Sequence, residues 1–270
     1  MIARLKYAVR RLVDAIDRAE RDSLVEQLSS PSRKIDADVI GVTLVACIVL
    51  TVLEFWGGSS DWNWIAKAMD LRNEDWGQIV RNFFRHGKYS RLYQLGYWST
   101  CTFVGYMLVP MIWVKVVMKE SLLEMGLSPR GIFKHAWIYV VLYLLVLPAV
   151  YLVSGTESFQ ATYPFYDKAG RSVYDFLVWE IFYAIQFMSL EFFFRGFLIH
   201  GLKRRFGFYS IFISVIPYCM IHFGKPAPEA FGSILAGLTL GAFSLFTGSI
   251  WLGVLIHVSV AVSMDVFALL

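Results

Sequence analysis

Seven long apolar runs constrain this chain more than any other feature. They are Val39–Trp56, Leu92–Val114, Ala136–Val153, Phe176–Leu202, Phe206–Phe223, Ala230–Thr247 and Ile250–Leu270. A helix needs about 20 apolar residues to cross a bilayer core, and each run is near that length. From Ala230 to Met264 there is no Asp, Glu, Lys or Arg. Backbone N–H and C=O groups cannot stay unpaired in lipid, so such runs must fold as helices. The expected fold class is all-α: a polytopic helical membrane protein with about seven to eight transmembrane helices. Composition agrees, since 57% of residues are hydrophobic and only 17% charged, against about 45–50% apolar in soluble domains.

Three regions are expected. Residues 1–37 form a basic amphipathic amino-terminal helix, cytoplasmic or on the membrane surface. Residues 38–120 form a first membrane region with an interfacial connection, and 121–270 form the core. Over Met1–Lys34, Ile2, Leu5, Val9, Leu12, Ile16 and Ala19 recur at three-four spacing with Arg and Asp opposite. Such a helix lies on the membrane surface or docks against the protein's own cytoplasmic face. Pro31 should end it. Charges recur through this region, so no cleavable signal peptide is expected.

Orientation follows from basic residues near the span ends. Residues 1–37 carry eight. Lys115, Lys119, Arg130 and Lys134 bracket the second-to-third connection, and Lys203-Arg204-Arg205 follows the fourth run. All three groups share one side when the amino terminus is cytoplasmic. The expected location is multi-pass in a bacterial cell membrane. The connection from Gly57 to Arg91 runs against the rule, with six basic residues on the outer side. It also carries Trp62, Trp64, Trp76, Phe83 and Phe84, which suits an interfacial helix or a partly re-entrant piece. The net charge of +4 thus reflects topology and gives no support to nucleic-acid binding. Cys47, Cys101 and Cys219 make neither a disulfide framework nor a zinc motif, and read as small buried hydrophobes. Gly232, Ala236, Gly237 and Gly241 give the sixth run a face for close helix packing.

Polar residues inside these runs carry the chemistry. Ser189-Leu190-Glu191-Phe192-Phe193-Phe194-Arg195-Gly196 places a carboxylate and a guanidinium four residues apart at membrane depth. A central charge there is opposed by roughly 2.5–3.5 kcal/mol, so such residues face a bundle interior. The i,i+4 spacing lets Glu191 and Arg195 pair, as a working site or as a structural ion pair. The midpoint between positions 191 and 222 falls in the turn Arg205-Phe206-Gly207. Antiparallel helices hinged there bring Glu191 and His222 to one depth, about 23 Å from the hinge. His257 lies about 13 Å past the Thr247-Gly248-Ser249 turn, so all three can converge in the cytoplasmic half. Glutamate- and histidine-assisted attack of water on a peptide carbonyl, with another histidine as oxyanion donor, is the expected chemistry. Two His and one Glu are also a legitimate zinc set, so a divalent metal is the competing chemistry. It is the less favoured one, because there is no His-Glu-x-x-His, and no cofactor is assigned.

At these residues the chain resembles the CAAX prenyl protease and bacteriocin-processing family of intramembrane endopeptidases, over roughly residues 120–270. The family shows Glu-Glu-x-x-x-Arg, an aromatic-x-x-x-His, and His-x-x-x-Asn or Asp on successive helices. Glu191 to Gly196 matches the second Glu, the Arg and the following Gly. Tyr218-Cys219-Met220-Ile221-His222-Phe223 matches the second motif, with Tyr for the usual Phe, and His257 the third. Leu190 stands in place of the first Glu, the usual water-activating base, and Ala261 in place of the Asn or Asp. The resemblance implies catalytic Glu191, His222 and His257, supported by Arg195. Glu229 and Asp265 are candidates for the missing acids, and both also suit structural roles: a helix amino-terminal acid and a packed polar tie. The implied partner is a membrane-associated peptide or protein substrate, with the lipid bilayer around it. A non-catalytic relative that binds a peptide, for instance in self-immunity, is the alternative. A small proton or ion transporter is a third reading, without an inverted repeat to support it.

Overall fold

The computed structural model of the chain describes residues 2–29, 36–129 and 132–270, without the side chains of residues 2–5, 8 and 134. The helix end expected at Pro31, the side chains of Ile2 and Leu5, and the topology charges Arg4, Arg33, Lys34, Arg130 and Lys134 lie outside the described residues. Among those described there is no strand. The helices are α1 (Ile2–Ser29), α2 (Ala37–Trp56), α3 (Asn63–Asp70), α4 (Glu74–Arg85), α5 (Ser90–Met118) and α6 (Ile132–Ser154). Then come α7 (Val173–Glu191), a π-helical stretch Phe192–His200, α8 (Gly201–Phe206), α9 (Ser210–Met220), α10 (Ala227–Thr247) and α11 (Trp251–Leu269).

Six helices among the described residues are long and apolar enough to cross a membrane. The fourth of these, Val173–Met220, is 48 residues long. Straight, it would reach about 72 Å, far beyond a bilayer core of about 30 Å. It turns back at Gly207, whose φ of +52° is costly for any residue with a Cβ. A Cβ there would also meet Glu20 Oε2 at 2.5 Å. The return is recorded by Ser214 Oγ, which donates to Phe194 O at 2.8 Å. The fourth and fifth apolar runs are therefore the two arms of one folded-back helix. The returning arm, α9, stops at Met220, short of the apolar run's end at Phe223, and Gly224 and Pro226 follow.

The chain divides into two compact units. The first comprises residues 1–46, 110–146 and 191–257. Within it α1 docks on α8, the Gly207 turn and α10. Ala15 and Ser23 are buried, and Leu12, Ile16 and Ala19 half-buried, on its docked face. Ser23 Oγ and Gln27 Nε2 both donate to Arg205 O at 2.8 Å, satisfying a carbonyl at the end of α8. Of the two settings open to an amphipathic helix here, the protein's own surface takes this face, while Val9 stays exposed. The small-residue face of α10 is used in part. A Cβ on Gly241 would meet Ile211 at 2.8 Å and one on Gly237 would meet Val215 at 2.9 Å, whereas Gly232 has nothing within 4 Å.

The second unit comprises residues 47–109, 147–190 and 258–270. Its core is aromatic: Trp98 stacks on Phe165, Phe165 on Trp179 and Trp179 on Tyr183 at 5.1, 5.8 and 4.6 Å between ring centroids. The Gly57–Arg91 connection holds two short helices that pack on each other. Arg81 Nη1 and Nη2 donate to Asp70 at 2.7 and 2.9 Å, and the guanidinium holds that carboxyl below the usual carboxylate range. The cysteines correct an expectation: Cys47 is exposed and Cys101 and Cys219 are only partly buried. A small apolar thiol facing lipid loses nothing by exposure, since the bilayer is as apolar as a core.

Candidate active site

The site is built where α7 gives way to the π-helical stretch. All nine residues from Phe192 to His200 are buried, Arg195 among them. Single π turns inside α-helices often accompany functional positions. Glu191 has 0% and Arg195 1% relative exposure. Arg195 Nη1 lies 3.2 Å from Glu191 Oε1, so the i,i+4 pair read from the sequence is formed. The guanidinium also sits over the Tyr218 ring, 4.0 Å from its centroid. Aromatic faces attract cations, and this contact holds the buried guanidinium in place.

The pair does not stand alone. His257 Nδ1–H donates to Glu191 Oε1 at 2.7 Å. A neutral His257 that meets a carboxylate through Nδ1 carries its proton there, since a carboxylate accepts and cannot donate. His257 Nε2 then accepts from the Tyr218 hydroxyl at 2.9 Å. Tyr218 is 1% exposed. His222 joins through the same tyrosine: its Nδ1–H donates to Tyr218 O at 2.7 Å, and its ring lies 4.8 Å from the Tyr218 ring. Its Nε2 makes no hydrogen bond among the described residues. His222 sits in the turn after α9 and, like His257, is half-buried, so both histidines are more accessible than Glu191. Glu191, Arg195, His222 and His257 thus share one cluster, with Tyr218 at its hub.

Gly253 makes room for the carboxylate. A Cβ on it would collide with Glu191 Oε2 and lie 3.0 Å from Cδ. Oε2 is buried and accepts no hydrogen bond among the described residues. Sequence reasoning missed both Gly253 and the Tyr218 hydroxyl. The only available signal was the tyrosine standing where the family usually has phenylalanine.

Glu229 lies in the first turn of α10 and pairs with Lys225 at 3.6 Å, the position of a helix amino-terminal acid. Asp265 is fully buried in the second unit, where Trp179 Nε1 donates to it at 2.7 Å and Phe165 N at 3.0 Å. That is a structural tie. Ala261 packs in the same aromatic core with Trp179 and Tyr183, and Leu190 is half-buried beside Glu191. Among the described residues no group of three or more His, Cys, Asp and Glu side chains is placed to hold a metal ion.

Fold and site together define a multi-pass helical membrane protein with a buried Glu–Arg–His–Tyr cluster. Residues 172–263 match the family model Rce1-like, described as Type II CAAX prenyl endopeptidase Rce1-like. The match covers roughly a third of the chain and agrees with the resemblance of the motifs. Glu191, Arg195, Tyr218, His222, Glu229 and His257 lie inside it, and Asp265 lies just beyond. No curated protein and no solved structure matches the chain.

Proposed function

We propose that the protein is an intramembrane endopeptidase that hydrolyses a peptide bond of a membrane-associated substrate. The observation that carries this reading is the continuous run Glu191–His257–Tyr218, closing on His222, inside the Rce1-like stretch. Peptide hydrolysis needs a base for water and an acid for the leaving amine. His222 has its proton on Nδ1, held by a carbonyl, and a lone pair on Nε2. It takes a proton from water as the oxygen bonds to the carbonyl carbon. It returns that proton to the amine nitrogen as the C–N bond breaks. Glu191 anchors His257, and Arg195 pairs with Glu191. This division differs from a glutamate base because Glu191 Oε1 is engaged by His257 and Arg195 and Oε2 is buried against Gly253.

The test is cleavage in proteoliposomes. The panel holds a peptide with a prenylated CAAX-type tail, chosen for the family's description, and other lipid-anchored peptides. Cleavage by the parent protein is expected, with His222→Ala and Glu191→Gln each slower by about 10²–10⁴-fold per folded molecule. No cleavage by the parent across the panel would overturn the protease reading and leave a peptide-binding role. Full activity in His222→Ala would remove His222 as the base.

A further inference from the structure

We infer that the Tyr218 hydroxyl is a positioning group that sets the proton pattern of His257; only the kinetic consequence rests on the protease reading above. A Glu191 carboxylate accepts and has no proton to give. In neutral His257 the ring proton therefore sits on Nδ1, which faces Glu191 Oε1 at 2.7 Å. The Tyr218 hydroxyl donates to the other ring nitrogen at 2.9 Å. A phenol is a donor that His257 Nε2 accepts only in the Nδ1–H form, so the hydroxyl and the carboxylate select one tautomer from opposite ends. The main-chain carbonyl of the same residue selects the Nδ1–H form of His222. With His257 engaged at both nitrogens, the lone pair on His222 Nε2 is left as the base.

The tyrosine is held for this task. Arg195 covers one face of its ring at 4.0 Å, Phe194 meets it edge-on at 5.2 Å, and Gly237 approaches so closely that a Cβ would lie 3.1 Å from Cδ1. A ring clamped on these sides cannot swing its hydroxyl away from His257. A phenylalanine would keep every one of those ring contacts and lose only the O–H. The hydroxyl therefore adds nothing to packing that phenylalanine would not supply, and its hydrogen bond is its contribution. It also sits in a chain whose Leu190 and Ala261 supply no polar group of their own.

The experiment uses full-length Tyr218→Phe beside the parent, both in lipid nanodiscs. Histidine ¹⁵N spectra report which ring nitrogen of His257 carries the proton. The parent should show the Nδ1–H form alone, and Tyr218→Phe a mixture of tautomers. In the cleavage assay, kcat should fall by about tenfold or more with KM little changed, because the loss is in proton placement and not in substrate binding. A single unchanged tautomer together with parental kcat in Tyr218→Phe would overturn the inference and leave Tyr218 as packing. Should the parent cleave no peptide, the protease reading fails and the tautomer spectrum alone decides the role of Tyr218.

Discussion

At the scale of single residues, the cluster depends on one absent side chain as much as on the polar ones. Gly253 lies against Glu191 Oε2, and a methyl group there must displace the carboxylate from His257. Overpacking of this kind costs about 1–3 kcal/mol. Gly253→Ala should therefore lower the midpoint of thermal unfolding in detergent and weaken the Glu191–His257 contact. Gly232→Ala is the matched comparison, with nothing within 4 Å of its Cβ. It should stay within about 0.5 kcal/mol of the parent. Equal midpoints for the two variants would show that Gly253 has room to spare. Much of the site was legible here. Charged residues at membrane depth are rare enough that Glu191 and Arg195 stand out from composition alone. The Tyr218 hydroxyl was not legible, because its partner lies 39 positions away and tyrosine in an aromatic-rich span reads as bulk.

At the scale of elements, hydrophobic period located the helices but not their neighbours. The apolar residues of α1 announce a face, and only the docked structure shows that α8 and α10 cover it. The helix α4 is the counterpart that keeps its face open. Trp76, Ile79 and Phe83 recur along one side and are about half exposed or more, at 54%, 64% and 51%. Glu74, Gln78, Arg81 and Arg85 take the other side. The element belongs to the connection between two membrane-length helices, α2 and α5, so it should lie at a membrane surface with its apolar side toward lipid. A nitroxide at position 79 should be relaxed more by oxygen than by an aqueous paramagnet, and one at position 78 the reverse. Equal aqueous access at both positions would place α4 clear of the bilayer.

For the whole molecule, basic residues and contacts make one topological statement. Ser23 and Gln27 touch Arg205, so α1 and the basic turn after α8 are on one side. The positive-inside rule predicts that this side is cytoplasmic. Because α2 is 20 residues long, the connection that follows it should emerge on the other side, at about 30 Å. In a variant lacking Cys47, Cys101 and Cys219, single cysteines at Glu26 and Arg204 should react with an impermeant thiol reagent from the cytoplasmic face. One at Ser59 should react from the outer face. Labelling of positions 26 and 59 from the same face would defeat the arrangement.

The sequence by itself determined the solvent, the secondary structure and the polar residues at issue. Each follows from local physics: apolar length sets what can span lipid, and an embedded charge must find a partner nearby. Glu191 and Arg195 are four positions apart, so one helix brings them together. Tertiary structure alone decided the rest. The turn at Gly207 folds a 48-residue helix back on itself. It seats Tyr218 between Arg195 and two histidines. In the second unit, packing sets Ala261 in an aromatic core and ties Asp265 to Trp179. These contacts join residues tens of positions apart, and no periodicity in one segment records which face of another it will meet.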